Sequence, residues 1–267
     1  MLPNPILEIG DLKIYMYGVM IALGVLAAFI VLYLYSRKMD ISTSFADFMF
    51  YNGIASIFVG FVSAAFFQAL YNYIEYPERG FDMKGGITFL GGLLGGSALF
   101  LIVYFILRKR LKGRLVGNGE TFPALSVIPC AILVGHAFGR VGCFFAGCCY
   151  GAETDSIFGV QFPRVPGTVH PTQLYEAIFL FLLFAVCSFL LLKLRFRHNM
   201  SVYLIGYGIF RFAIEYLRDD HRGELIGSLT PSQFWSICMV VLGVVLIFIL
   251  NHIWSRGSVA STEVSNA

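Results

Sequence analysis

Seven apolar runs separated by short polar breaks organise the 267-residue chain. They lie near 14–35, 46–73, 86–107, 122–143, 173–192, 202–217 and 232–251. Each reaches or approaches the roughly 20 apolar residues that a helix needs to cross a hydrocarbon core of about 30 Å. The sixth run carries Arg211 and Glu215 inside it. The second is long, and the pattern predicts a tilt or a break at Gly60. The expected architecture is an all-α integral membrane protein, a bundle of about seven transmembrane helices forming one domain over 1–251. Residues 252–267 are polar and Ser-rich and read as a disordered cytoplasmic tail.

Composition strengthens this picture. Only 13% of residues are charged, about half the share found in soluble domains. No basic block is interleaved with exposed aromatics, which argues against nucleic acid as a partner. The N-terminus carries Glu8 and Asp11 rather than a basic leader, so the first run is expected to be retained. Loop charges set an orientation. Arg37, Lys38, Arg108, Lys109, Arg110, Lys112, Arg114, Lys193, Arg195, Arg197 and Arg256 fall on one side of the membrane. The other side holds Lys13, Arg79, Lys84, Arg164, Arg218 and Arg222 among most of the acids. The positive-inside rule then expects the N-terminus outside and the C-terminus in the cytoplasm.

The fourth run ends in Gly139-Arg-Val-Gly-Cys-Phe-Phe-Ala-Gly-Cys-Cys-Tyr-Gly151. A charge at membrane depth is costly and marks a function or a partner. The glycines and cysteines are expected to take the chain out of helix, which is tolerated only inside protein or along a cavity. Two readings of Arg140 stand side by side. It ties helix ends together, or it clamps an anion, since the planar guanidinium fork matches phosphate. Backbone N–H groups of Gly139, Gly142, Gly147 and Gly151 could approach the same oxygens.

Tyr207, Arg211, Glu215 and Arg218 are spaced four, four and three apart and so fall on one helix face. The bland reading is an internal Arg211–Glu215 pair. The other has Arg211 join Arg140 around one anionic headgroup while Glu215 orients it. In His170-Pro-Thr-Gln-Leu-Tyr-Glu176, His170 is a candidate general base or a helix cap. Glu176, one turn into the fifth span, needs a partner, for which an arginine is the natural choice. Pro171 and Pro231 open the fifth and seventh spans from the same side, with His170 and Thr230 as expected caps.

Overlapping GxxxG spacings at Gly91/Gly95 and Gly92/Gly96 predict close helix packing, with a cavity wall as the alternative. Cys130, Cys187 and Cys238 read as small buried hydrophobes. Cys143, Cys148 and Cys149 leave four readings open. These are inert packing, a disulfide in an oxidising exterior, thiol chemistry, and a metal site completed by His136. Without a CxxC…CxxC pattern the expectation is no metal and no cofactor. His136 lies one turn before Arg140 and could face the same cavity as a base.

Taken together, these motifs resemble the bacterial prolipoprotein diacylglyceryl transferases over nearly the whole chain. The resemblance rests on Tyr17-Gly, the Gly-Gly-x-x-Phe-x-Gly-Gly run at 85–92, Gly139-Arg-x-Gly with Gly151, and His170-Pro-Thr-Gln-Leu-Tyr-Glu176. It continues in Gly206-Tyr-Gly-x-Phe-Arg211 with Glu215 and Arg218, and in Ser232-Gln233. It implies seven helices around a lipid-accessible cavity near the outer leaflet of the bacterial inner membrane. It also implies transfer of diacylglyceryl from phosphatidylglycerol to a lipobox cysteine thiol of an exported prolipoprotein, with glycerol phosphate leaving. Arg140 and Arg211 would hold the phosphate. Tyr17, Tyr207, Glu215 and Arg218 would shape the headgroup site, with Gly142, Gly151 and Glu176 also on the substrate side.

The chain departs from the family pattern at Leu90, where the family's candidate base is His, and at Cys143, Ala146 and Cys148, which replace Asn, Asn and Glu. His136 or His170 would then substitute as base, and the chain reads as a divergent member. The alternative is a paralogue that uses Cys143, Cys148 and Cys149 for thiol or redox chemistry on another substrate, or a non-enzymatic lipid-binding membrane protein.

Overall fold

A computed structural model describes residues 4–10, 12–83, 86, 88–110, 121–163, 165–218 and 229–265. An N-terminal hairpin that the apolar pattern does not predict pairs β1 (Leu7–Ile9) with β2 (Leu12–Ile14), turning at Gly10 in a left-handed conformation. All seven predicted helices follow. They are α1 (Met16–Lys38), α2 (Thr43–Glu75), α3 (Phe89–Arg110), α4 (Thr121–Ala146), α5 (Thr172–Leu194), α6 (Asn199–Ile214) and α7 (Pro231–Ser265). Short 3₁₀ turns follow α2 at Pro77–Arg79 and α6 at Glu215–Leu217. Among the described residues, five helices, α1, α2, α4, α5 and α7, are long and apolar enough to cross a membrane. At 1.5 Å per residue, the 23 residues of α1 or α5 exceed a hydrocarbon core of about 30 Å. The protein is an all-α, multi-pass membrane protein.

Several boundaries differ from the sequence reading. Helix α2 runs unbroken through Gly60. Helix α4 continues to Ala146, so Gly139 and Gly142 are helical and the irregular stretch begins only at Gly147. Helix α7 has an apolar part that ends at Ile253 and runs on to Ser265. Arg218 leaves the helical stripe: α6 tightens into a 3₁₀ turn at Glu215, and Arg218 itself is extended.

The helices group into two compact units, Met1–Lys38 with Phe122–Ala267, and Met39–Thr121. In the second, α2 and α3 meet through the predicted small-residue seam. A Cβ on Gly92 would sit 3.3 Å from Ala64 Cβ, and one on Gly96 would sit 2.9 Å from the Ser56 carbonyl. Backbones this close let Ser63 donate across the seam to the Gly91 carbonyl at 2.8 Å and Asn52 to the Phe100 carbonyl at 3.1 Å. The side chain of Leu90 lies outside the described residues.

In the first unit the same device appears between α1 and α4, where Gly24 faces the Gly135 carbonyl, and between α6 and α7, where Gly208 faces that of Ser236. The end of this unit rich in Arg37, Lys38, Lys193, Arg195 and Arg197 is tied by backbone capture. Asn199, fully buried, donates from its amide to the Ser126 carbonyl at 2.9 Å and the Cys187 carbonyl at 3.1 Å. Ser126 in turn donates to the Arg197 carbonyl at 3.0 Å, and Arg195 to that of Lys38 at 2.7 Å. Cys130 and Cys187 are completely buried here, as small apolar residues.

Candidate functional site

The opposite end of that unit gathers the charges. Glu176 sits at the fifth residue of α5, 1% exposed. A carboxylate so buried must be paired. Three side chains converge on it from two other helices. Arg140 of α4 brings Nε within 3.0 Å of Oε2, His136, one turn earlier on the same helix, brings Nε2 within 3.7 Å of Oε1, and Tyr207 of α6 donates its hydroxyl to Oε1 at 2.7 Å. His136 and Tyr207 also meet edge to face, 5.2 Å between ring centres. The expected arginine partner of Glu176 is therefore Arg140.

Arg211 lies one turn after Tyr207. Its Nη1 stands 2.8 Å from Glu215 Oε2, and its Nη2 donates to Ser232 Oγ of α7 at 2.9 Å. Arg211 and Glu215 are both buried. The second oxygen of Glu215 accepts from Thr230 Oγ1 at 2.9 Å. Thr230 also caps α7: its hydroxyl accepts from the Gln233 backbone N–H, and the Gln233 side chain accepts from the Thr230 N–H. This reciprocal pair is a capping box, so Thr230 is a cap as expected. His170 is not. No side chain caps α5, and the His170 ring instead contacts the Tyr175 hydroxyl at 3.3 Å.

Tyr207 links the two arginines: its hydroxyl shares Glu176 with Arg140, and Arg211 follows it one turn later on α6. In neither ion pair is the close nitrogen, Arg140 Nε or Arg211 Nη1, aligned for a hydrogen bond. Charge opposes charge, while buried N–H donors stay available.

Beyond Ala146 the chain closes α4 with a Schellman motif. Gly147, in the left-handed region, donates to the Phe144 carbonyl at 3.1 Å, and the Cys148 N–H to that of Cys143 at 3.2 Å. The following carbonyls are taken by side chains that the sequence reading left without a role. Gln173 donates to Cys148 at 2.6 Å and Thr172 to Cys149 at 2.9 Å, while Arg218 reaches the Cys149 carbonyl at 3.3 Å. The three sulfurs of Cys143, Cys148 and Cys149 all lie within 4.8 Å of one another. The Cys149 thiol is held below the usual thiol range. Hydrogen bonds from Cys143 and Cys148 lower it most, burial opposes them, and the charges of Arg140 and Arg218 lower it further.

Two glycines have steric reasons for being glycine. A Cβ on Gly142 would press on Tyr17 and Met20 of α1, at 3.2 Å from each. Gly151 is buried, and a Cβ there would collide with the Leu217 carbonyl and with Thr172 Cγ2. Its N–H donates to the His170 carbonyl at 2.8 Å. Gly151 thus lets the loop after α4 thread between the start of α5 and the turn after α6. Tyr17 lies against Gly142, and His136 joins Glu176 rather than the cysteines.

A family model described as prolipoprotein diacylglyceryl transferase matches residues 4–249. The chain is 36% identical to the phosphatidylglycerol–prolipoprotein diacylglyceryl transferase of Clostridium tetani over 261 residues, 93% of this chain and 97% of that protein. It is 31% identical over 259 residues to the second such transferase of Clostridium perfringens, covering 93% and 95% of the two chains. The Geobacter sulfurreducens transferase is likewise 31% identical over 259 residues, covering 92% and 94%.

Proposed function

The chain belongs to the prolipoprotein diacylglyceryl transferase family, and from that premise we propose how its own residues carry the reaction. The enzyme moves diacylglyceryl from phosphatidylglycerol to a lipobox cysteine of an exported prolipoprotein. The acceptor thiol gives up its proton to water, and its sulfur forms a C–S bond with the glyceryl carbon. The C–O bond to phosphate breaks, and glycerol phosphate departs with the electron pair.

Charge builds on the phosphate as it leaves, so the catalytic need is for fixed donors that meet that charge more strongly than they meet the substrate. Arg140 and Arg211 supply them. The observation that carries this reading is that two guanidiniums from different helices, Arg211 buried and Arg140 half-buried, flank Tyr207, Arg140 through the shared Glu176 and Arg211 one turn along α6, each held by a carboxylate and each with an unaligned donor. Glu176 and Glu215 are positioning residues. They keep the arginines in place before substrate arrives, which spares reorganisation during the reaction. Tyr207 and His136 fix Glu176, and Ser232 and Thr230 fix Arg211 and Glu215. Tyr17, Gly142 and Arg218 border the headgroup, and Gly151 shapes the loop beside it. His170, turned to Tyr175, is dropped as a base.

The site faces the extracytoplasmic side of the bacterial cytoplasmic membrane. The support is that Arg37, Lys38, Lys193, Arg195 and Arg197 crowd the other end of α1 and α5. The test is transfer from phosphatidylglycerol in vesicles to a lipobox peptide. Wild-type protein should give a thioether-linked product, and Arg140→Ala or Arg211→Ala should give none. Full transfer by either variant would sink the phosphate clamp.

A further inference from the structure

The cysteine cluster has no part in that clamp, and its geometry asks for a ligand. The Schellman motif places Cys148 beside Cys143, five residues back, in the position where such motifs usually pack two apolar side chains. Cys149 then adopts φ 64°, a left-handed conformation that non-glycine residues rarely take. Gln173, Thr172 and Arg218 hold the Cys148 and Cys149 carbonyls in that arrangement. The result is three sulfurs on one small perimeter. They are not core packing: Cys130 and Cys187 are buried completely, whereas Cys148 is exposed and Cys143 and Cys149 are half-buried. All three are free thiols, and one disulfide would leave the third unused.

Three thiolates around a tetrahedral zinc-class cation, with bonds of about 2.3 Å, stand about 3.8 Å apart. Sulfurs already within 4.8 Å reach that by small side-chain rotations. Soft thiolate ligands select such a cation over calcium or magnesium. Three protein ligands rather than four leave one position open for an exchangeable ligand. We propose that Cys143, Cys148 and Cys149 bind one zinc-class cation whose open position takes the acceptor cysteine of the substrate protein.

The identity of that fourth ligand rests on the transferase reading above. On binding, the acceptor thiol releases its proton to water and its sulfur bonds to the cation. The same sulfur then forms the C–S bond while the glyceryl C–O bond breaks, and the electron pair leaves with the phosphate. Nothing is oxidised or reduced. The thioether product is uncharged, so it binds the cation more weakly and departs. A divalent cation with three thiolates carries one net negative charge. Arg218 on the Cys149 carbonyl, and Arg140 one turn before Cys143, offset it.

The test uses the full-length protein, reduced, in phosphatidylglycerol-containing nanodiscs, with Co²⁺ alone as the probe. One equivalent should saturate a thiolate-to-cobalt charge-transfer band that the Cys143→Ser/Cys148→Ser/Cys149→Ser variant lacks. A lipobox peptide with cysteine should raise the band, and the same peptide with serine should not. Should the variant fold poorly, wild type alone suffices: one equivalent of Zn²⁺ should shield these three cysteines from iodoacetamide, read by mass spectrometry. A missing band, a band unmoved by the cysteine peptide, or cysteines alkylated equally with and without Zn²⁺ would overturn the proposal. Wild type that transfers diacylglyceryl but shows no band sinks the cation alone. Wild type with a peptide-sensitive band but no transfer sinks the transferase reading alone.

Discussion

Two buried polar networks occupy opposite ends of the same helical unit, and they are built from different parts. At the basic end, Asn199 spends its amide on the carbonyls of Ser126 and Cys187. These partners are backbone carbonyls, joined by the Cys130 sulfur at 3.5 Å, so the network is neutral and stitches helices together. At the other end, Glu176 and Glu215 are met by side chains: Arg140, Tyr207, His136, Arg211 and Thr230. A neutral amide on backbone carbonyls adds modest stability, about 0.6–1.7 kcal/mol in membrane proteins. Buried ion pairs are costly to assemble and often contribute little to stability. A fold that only needed helices joined would use the first kind at both ends. The second kind fits the proposed clamp for a charged substrate.

Breaking the charged network should have the largest effect. Replacing Arg140 or Arg211 by Ala should lower transfer by at least about 10²–10³-fold, the scale of losing one preorganised oxyanion donor. Arg140→Lys should recover little, because a lysine keeps the charge but not the fork. Initial rates with labelled phosphatidylglycerol measure both. Glu176→Gln comes next, keeping an acceptor for Tyr207 while removing the charge that holds Arg140; about a 10–100-fold drop in kcat is expected, with smaller change in KM. Asn199→Leu sharpens the contrast from the other side. It should cost about 0.6–1.7 kcal/mol, read as a shifted denaturation midpoint in detergent, and leave turnover per folded molecule unchanged. A large loss of turnover would mean the two ends are not separable. His136→Gln should have the smallest effect, a few-fold loss of transfer, since Nε2 stands 3.7 Å from a carboxylate that keeps two closer partners.

Much of this contrast is legible in the sequence. Apolar runs identify all seven helices, because lipid demands hydrophobic length. Arg211 and Glu215 are four apart on a helix, so their pairing follows from spacing alone. The requirement that Glu176 find a cation is also legible, but not that Arg140 meets it: the two lie on different helices, and spacing along a chain says nothing about contacts across it. Boundaries at Gly139 and Gly142 mislead because glycine weakens a helix without ending it. What ends α4 is the left-handed turn at Gly147, the third of the four glycines. Gln173 and Thr172 pass unnoticed for a related reason: their partners are carbonyls of a distant loop, and every residue carries a carbonyl. The N-terminal hairpin is too short for its alternation to stand out.

The capping box at the start of α7 has a consequence for how the protein sits in its bilayer. Apolar residues facing acyl chains are largely interchangeable, so a hydrophobic helix alone could slide along its axis at little cost. Thr230 forbids this by caring for both the first turn of α7 and the Glu215 carboxylate, while Ser232 grips Arg211. A slip of one residue, about 1.5 Å, would undo the bonds to Glu215 and Arg211 together. Thinner or thicker membranes must therefore be met by tilting α7 about that anchored end, with its lipid-facing length free to adjust and its first turn fixed.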